Sequence, residues 1–145
     1  MLYFYYLVVI ILSQGFSLMR YDIKFYQDKK GNCPFLAFIS ELSQKGDKRS
    51  KNLVNALFLK FKQLEQNGTM TGMPDFRHIE NSKYNLWEIR VKHATGYYRI
   101  LCCPSKGKYV ILNHFVKKGR KTPAKEIKKA ERWMDDFISR QRKGK

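Results

Sequence analysis

The sequence predicts a small α+β domain, an antiparallel sheet packed by a helical hairpin and a C-terminal helix, in the order β-α-α-β-β-β-β-α. Changes of hydrophobic period predict it. Apolar residues alternate just after residue 20, recur at helical spacing from 35 to 64, alternate again from 77 to 115, and return to helical spacing after 123. Size is the other observation. With 145 residues, 43% of them apolar and 14% aromatic, the chain can close one core, and a disordered basic tail protein is excluded.

Each element follows from its own pattern. Tyr21, Ile23 and Phe25 share one face of residues 20–27, which reads as a half-buried strand. Asp28 to Asn32 turns the chain. Phe35, Phe38, Ile39 and Leu42 then form a helical stripe, with Asn32 the expected cap and Pro34 in the first turn. Gly46-Asp47 breaks this helix, and a second starts near Asp47. Its stripe is Leu53, Val54, Leu57, Phe61 and Leu64, and Asn67-Gly68 is the expected left-handed stop. So short a break makes the pair a hairpin with one shared apolar face. A loop follows over residues 69–76. Strands are expected at 77–80, 86–92, 97–103 and 109–115, separated by turn residues at Asn81-Ser82, Ala94-Thr95-Gly96 and 104–107. Thr122-Pro123 is the expected cap of a last helix carrying Ile127, Ala130, Met134, Phe137 and Ile138 on one side. The domain is thus expected over residues 19–139, with 140–145 a frayed basic tail.

Residues 1–18 stand apart. They carry no charge, and the first twelve, MLYFYYLVVIIL, are wholly apolar. A membrane span needs about 20 apolar residues, so this run is too short without Phe16, Leu18 and Met19. A signal peptide would find small residues around Ser13-Gln14-Gly15 but lacks the usual basic start. The preferred reading is that translation begins at Met19: Gln14-Gly15 can be encoded as CAA-GGA, a bacterial ribosome-binding core, three codons ahead.

Composition narrows the partners. Three cysteines, two of them adjacent (Cys102 and Cys103), exclude a disulfide scaffold and fit a reducing compartment, the cytoplasm. The net charge of +17 implies a polyanion as partner. Its distribution is uneven: the last 29 residues, from Lys117, hold 12 basic and 4 acidic side chains.

The segment 86–103 is the informative unit. If His93-Ala94-Thr95-Gly96 connects two strands, Lys92 faces Tyr97, Val91 pairs with Tyr98, Ile89 with Ile100 and Trp87 with Cys102. These pairs form one apolar face, and a slip by one residue would oppose buried to exposed positions, so the pattern specifies the register. On the other face Arg90 then lies directly across from Arg99, flanked by Lys92 and Tyr97 toward the turn and by Glu88 and Leu101 away from it. Like charges opposite one another cost up to about 1 kcal/mol. Two guanidiniums there can clamp a phosphate, since each donates bidentate bonds. The alternative is an ordinary solvated face with Glu88 as a partial counter-charge. Lys117 and Lys118 leave the last strand where a third cation could approach the arginines, while Tyr84, Tyr97 and Phe115 could stack on bases.

Absences matter too. His78, His93 and His114 show no metal spacing, and the two adjacent thiols should point to opposite faces, so neither a metal nor another cofactor is expected. There is no glycine loop for phosphate, no G-x-S-x-G and no obvious pair of catalytic carboxylates. An enzyme acting on a phosphodiester would have to work through cations and positioning.

Three motifs in series, Leu86-Trp87-Glu88-Ile89-Arg90, Gly96-Tyr97-Tyr98-Arg99-Ile100 and Phe115-Val116-Lys117-Lys118 with Lys121-Thr122-Pro123-Ala124-Lys125-Glu126-Ile127, carry a family resemblance. They resemble the RelE/ParE superfamily of toxins, most of all its HigB-like branch related to a phage protein called Gp49. The resemblance runs from about Arg20 to Phe137 in the same element order; residues 1–18 have no counterpart. It implies the toxin of a type II toxin–antitoxin system that cleaves mRNA, usually in the ribosomal A site, by attack of a ribose 2′-hydroxyl on the adjacent phosphate. By similarity Arg90, Arg99, Lys117 and Lys118 fall where such toxins keep catalytic cations. Lys92, Tyr97, Lys83, Tyr84, Arg120 and Lys121 are the expected RNA contacts. The implied partner is a cognate antitoxin with a helix-turn-helix domain, HigA-like, and a membrane role is not expected. Two alternatives remain open, a ParE-type gyrase poison and a non-catalytic basic module that binds RNA or the ribosome. No residue stands out as general base; His93, Tyr97 and Lys92 are weak candidates.

Overall fold

A computed structural model describes residues 20–144. The apolar leader, the Met19 start and Lys145 lie outside the described residues. The order is β1 (Asp22–Phe25), α1 (Pro34–Lys45), α2 (Lys48–Asn67), a 3-10 turn (Gly68–Thr71), β2 (Phe76–His78), β3 (Trp87–His93), β4 (Gly96–Ser105), β5 (Lys108–Val116) and α3 (Ala124–Lys143). This is the α+β class and element order that the periodicity predicts.

The five strands form one sheet ordered β1-β5-β4-β3-β2. The α1–α2 hairpin carries the chain from one sheet edge to the other, and β2 to β5 walk back as an antiparallel meander. After three reversals β5 meets β1 in parallel, the one departure from an antiparallel sheet.

Both faces of the sheet are packed, but unequally. On the inner face the hairpin buries Phe35, Leu42, Leu53, Leu57, Phe61 and Leu64 against Ile89, Val91, Ile100, Cys102 and Ile111. On the outer face α3 lays Ala130, Met134 and Phe137 over Leu101, Cys103, Val110 and Leu112. The two adjacent thiols do point to opposite faces. Burial pushes both above the ordinary thiol range, Cys103 to about 11.

Several local expectations need correction. Asn32 does not cap α1: the helix starts at Pro34, so the cap position is Cys33, without a side-chain bond, and the Asn32 amide donates to Asp28 in the preceding turn. Asp47 does cap α2, accepting from the Ser50 backbone N–H at 3.2 Å. The second helix does end at Asn67 with Gly68 as its cap, but Gly68 combines a positive φ with an extended ψ, so the stop is not the left-handed one and the chain continues into a 3-10 turn. A Cβ there would sit 2.9 Å from the Tyr21 ring, which only glycine avoids. Thr122 does not cap α3, as its hydroxyl goes elsewhere. Nor is the C-terminal segment frayed at Arg140: α3 runs through Lys143, and Arg140 bonds Asp136 and the Gln27 carbonyl.

Candidate active site

The β3–β4 hairpin has the expected register at every pair: Trp87 with Cys102, Glu88 with Leu101, Ile89 with Ile100, Arg90 with Arg99, Val91 with Tyr98 and Lys92 with Tyr97. Only the loop is shorter, because His93 and Gly96 themselves pair and leave Ala94-Thr95 as the connection. The His93 ring is held in this turn, its Nδ1 2.8 Å from the Thr95 hydroxyl oxygen. The opposed arginines therefore come directly from local alternation.

What lies beneath them was not legible as a site. Glu88 is 0% exposed and sits two residues before Arg90 on the same face. Its Oε1 lies 3.4 Å from Arg99 Nε and 3.8 Å from Arg90 Nε, while its Oε2 accepts the Thr122 hydroxyl at 2.6 Å. One buried carboxylate thus faces two guanidiniums and ties them to the loop entering α3. Arg99 is itself 4% exposed, and its Nη1 donates to the Tyr98 carbonyl at 3.0 Å. Burial and the neighbouring Arg90 lower its pKa from the ordinary arginine value, and Glu88 opposes them. A guanidinium stays charged even so. A merely solvated arginine face does not describe this arrangement.

Arg90 is the more accessible of the two. It lies at the sheet edge where β2 has ended, its backbone N–H donating to the Asp75 carbonyl at 2.9 Å and its Nη1 reaching Met73 Sδ at 3.5 Å.

A bulge brings in the third cation. Between Ile100 and Cys102 the register shifts, so that Leu112 and Asn113 stand against Leu101 alone. Asn113 turns its amide onto Glu126 at the start of α3, His114 stacks on Phe38 at 3.9 Å, and Phe115 lies directly across from Arg99. The strand ends with the Lys117 N–H donating to the Tyr97 carbonyl at 2.8 Å. Burial pushes the Lys117 ammonium below the ordinary lysine range. Glu88 pulls it up, while Arg99, Arg90 and Arg77 push it further down. Lys117 therefore shares the field of the arginines. Lys118 is exposed.

The remaining expected contacts divide. Tyr97 is half exposed, with the Arg99 guanidinium 5.9 Å and the Lys92 ammonium 5.9 Å from its ring centroid. Arg120 and Lys121 are exposed on the loop that leads to Thr122. Lys83 and Tyr84 are drawn away: both bond Asp135 of α3, and the Lys83 N–H also donates to Glu131. Burial, followed by the bond to Asp135, raises the Tyr84 phenol to about 12. The structure does not join these two to the arginines. Phe115 packs partly into the α3 core.

Two residues were missed. Glu88 had a signal, its period-two spacing from Arg90, but read only as a counter-charge. Arg77 had none in its own segment, since only the β2–β3 pairing sets it across from Glu88. Among the described residues no group of His, Cys, Asp or Glu could hold a metal ion. No described helix is long and apolar enough to cross a membrane.

Chemically, the arrangement is a concentration of fixed cations around one buried anion, open on the side away from α3. A comparison with curated proteins finds no match. The family model described as phage-derived protein Gp49-like (DUF891) matches residues 38–135, from within α1 to within α3, and so spans the arginine hairpin, the bulge and Lys117. The chain belongs to this Gp49-like family, which is associated with RelE/HigB-like toxins.

Proposed function

We propose that the protein is the toxin of a toxin–antitoxin pair and acts as an endoribonuclease on mRNA at the ribosome. Membership of the Gp49-like family suggests a toxin-like function. The observation that carries the finer reading is the opposed pair Arg90 and Arg99, both facing the buried Glu88 carboxylate across 3.8 and 3.4 Å, with Lys117 alongside.

In this reading a phosphodiester sits on the two guanidiniums. The 2′ oxygen of the preceding ribose attacks phosphorus, its proton passing to solvent, and the P–O5′ bond breaks. The products are a 2′,3′-cyclic phosphate and a 5′-hydroxyl. Arg99, fixed in position and shielded from water, donates to the non-bridging oxygens as charge builds there, and Arg90 assists. Lys117 gives its proton to the departing O5′; a lowered pKa suits an acid that must release a proton. Glu88 is closed off from solvent, so it holds the cations in place and takes no proton from substrate. Lys118, Arg120, Lys121 and the basic helix supply the field that draws RNA in.

The partner in this reading is an antitoxin that masks the cationic face, with a helix-turn-helix domain as the HigB-like resemblance implies. Toxin and target would meet in the cytoplasm. Induction of the protein followed by mapping of transcript ends tests the proposal. Cuts within codons that carry 5′-hydroxyl ends and vanish when ribosomes are absent support it. Intact transcripts accompanied by DNA damage would place the protein among gyrase poisons instead.

A further inference from the structure

A slot of about 490 Å³ opens beside the arginines, between α2 and the free edge of β3. Its helix wall is Ala56, Leu59 and Gln63, which share one face of α2, and Ala56 leaves the gap. Its strand wall includes Val91, Lys92 and Tyr97, and Arg90 and Arg99 line it as well. Leu59 is 62% exposed, Tyr97 51% and Met73, beside the Arg90 guanidinium, 60%. A slot that mixes apolar side chains with polar ones, and that carries an exposed aromatic ring and two guanidiniums on its walls, matches one chemical object, a nucleotide.

We infer that this slot takes the nucleobase adjoining the phosphate held by Arg90 and Arg99. The inference rests on the endoribonuclease reading for the phosphate and adds the site of the base. Continuity commits the occupant: the same two arginines border both the cationic face and the slot, so a phosphate on one delivers its neighbouring base into the other. A planar base gains from contact with Tyr97 and Leu59. Polar edges are at hand as well. Asp75 Oδ1 is bound to Lys60 Nζ at 2.5 Å, which leaves Oδ2 to accept from a base N–H, and the Gln63 amide can donate or accept. Sequence preference in cleavage would then arise in the slot and not at the arginines.

Binding of deoxydinucleotides tests this, since without a 2′-hydroxyl they cannot be cut. Three probes are titrated into the full chain: one with both bases, and one abasic at each position. One abasic probe is expected to bind about tenfold more weakly than the intact one. In Gln63→Trp, which fills the slot from an exposed helix position, intact and abasic probes should bind alike, at the weaker level. Equal binding of all three probes to the wild-type chain overturns the base slot, and this result needs no variant to fold. Discrimination that survives in Gln63→Trp overturns it as well. Arg99→Ala separates the two proposals. If it weakens all three probes, the phosphate site stands whatever becomes of the slot; if it weakens none, the phosphate reading falls and the slot falls with it.

Discussion

The outer face of the sheet has two ends built from the same strands, and they handle charge in opposite ways. Under α3, Leu101, Cys103, Val110 and Leu112 are sealed by Ala130, Met134 and Phe137, and charges at the rim are paired with partners on the helix. Lys83 is matched to Asp135, and Tyr26 donates to Asp136 at 2.7 Å. At the open end Arg90, Arg99 and Lys117 gather around the single carboxylate of Glu88. The difference teaches which cations are available. At the helix end charge holds the fold together, whereas at the open end it exceeds its counter-charge.

Substitutions at the two ends should therefore separate stability from activity. Met134→Ala, which opens a cavity under α3, should lower unfolding free energy by about 2–5 kcal/mol, read by urea denaturation, with cleavage per folded molecule retained. Arg99→Ala should cut RNA cleavage by about 10²–10³-fold, near 2.7–4 kcal/mol of transition-state stabilisation. Wild-type cleavage by Arg99→Ala would sink the catalytic assignment. Lys117→Met should cost at least about tenfold in cleavage while Lys118→Met stays within about twofold, so equal effects at both lysines would erase the distinction drawn between them. The smallest effect belongs to the helix end. Lys83→Ala removes an exposed pair and should change stability by about 1 kcal/mol or less, with cleavage untouched.

The pH profile sharpens the same contrast. An ordinary lysine loses its proton near pH 10.4. Lys117 is held below that range by burial and by its arginine neighbours, so cleavage should fall along an alkaline limb at lower pH than an unperturbed lysine would set. Glu88 is the group that raises the Lys117 value. Its neutralisation in Glu88→Gln should move the limb to still lower pH, and a limb that stays in place would show that Lys117 is not the acid. At the helix end the sign differs. Tyr26 and Tyr84 are each raised to about 12 from 10.0, first by burial and then by their aspartate acceptors. Their folded values exceed the unfolded ones, so the stability they contribute is whole below pH 10 and is lost as pH rises toward 12. Ultraviolet titration should find Tyr26 and Tyr84 among the phenols that ionise late in the folded chain and normally in urea; burial raises Tyr109 as well.

The core of the site was written in one short stretch of chain. Alternation over residues 87–102 excludes a one-residue slip, because such a slip would set the apolar face of one strand against the charged face of the other and turn Arg90 or Arg99 toward the helical hairpin. That argument needs no contact beyond the hairpin itself, and it sets one guanidinium across from the other. The helical stripes were equally local. Phe35, Leu42, Leu53, Leu57, Phe61 and Leu64 are all buried as their spacing requires. The bulge was not legible, since one extra residue in β5 leaves no signature in composition, yet it sets Phe115 across from Arg99 and carries Lys117 toward it.

Sequence by itself therefore determined the α+β class, the shared face of the hairpin and the opposition of the two arginines, all products of patterns a few residues long. Tertiary structure alone decided which cations join them. Thr122 left its expected cap to reach Glu88 across 34 positions of chain, and Lys83 and Tyr84 went to Asp135 across 52 and 51. Local periodicity says which face a side chain occupies. Only the packed fold says what arrives over that face, and here α3 covers one end while leaving Arg90 and Lys117 open at the other.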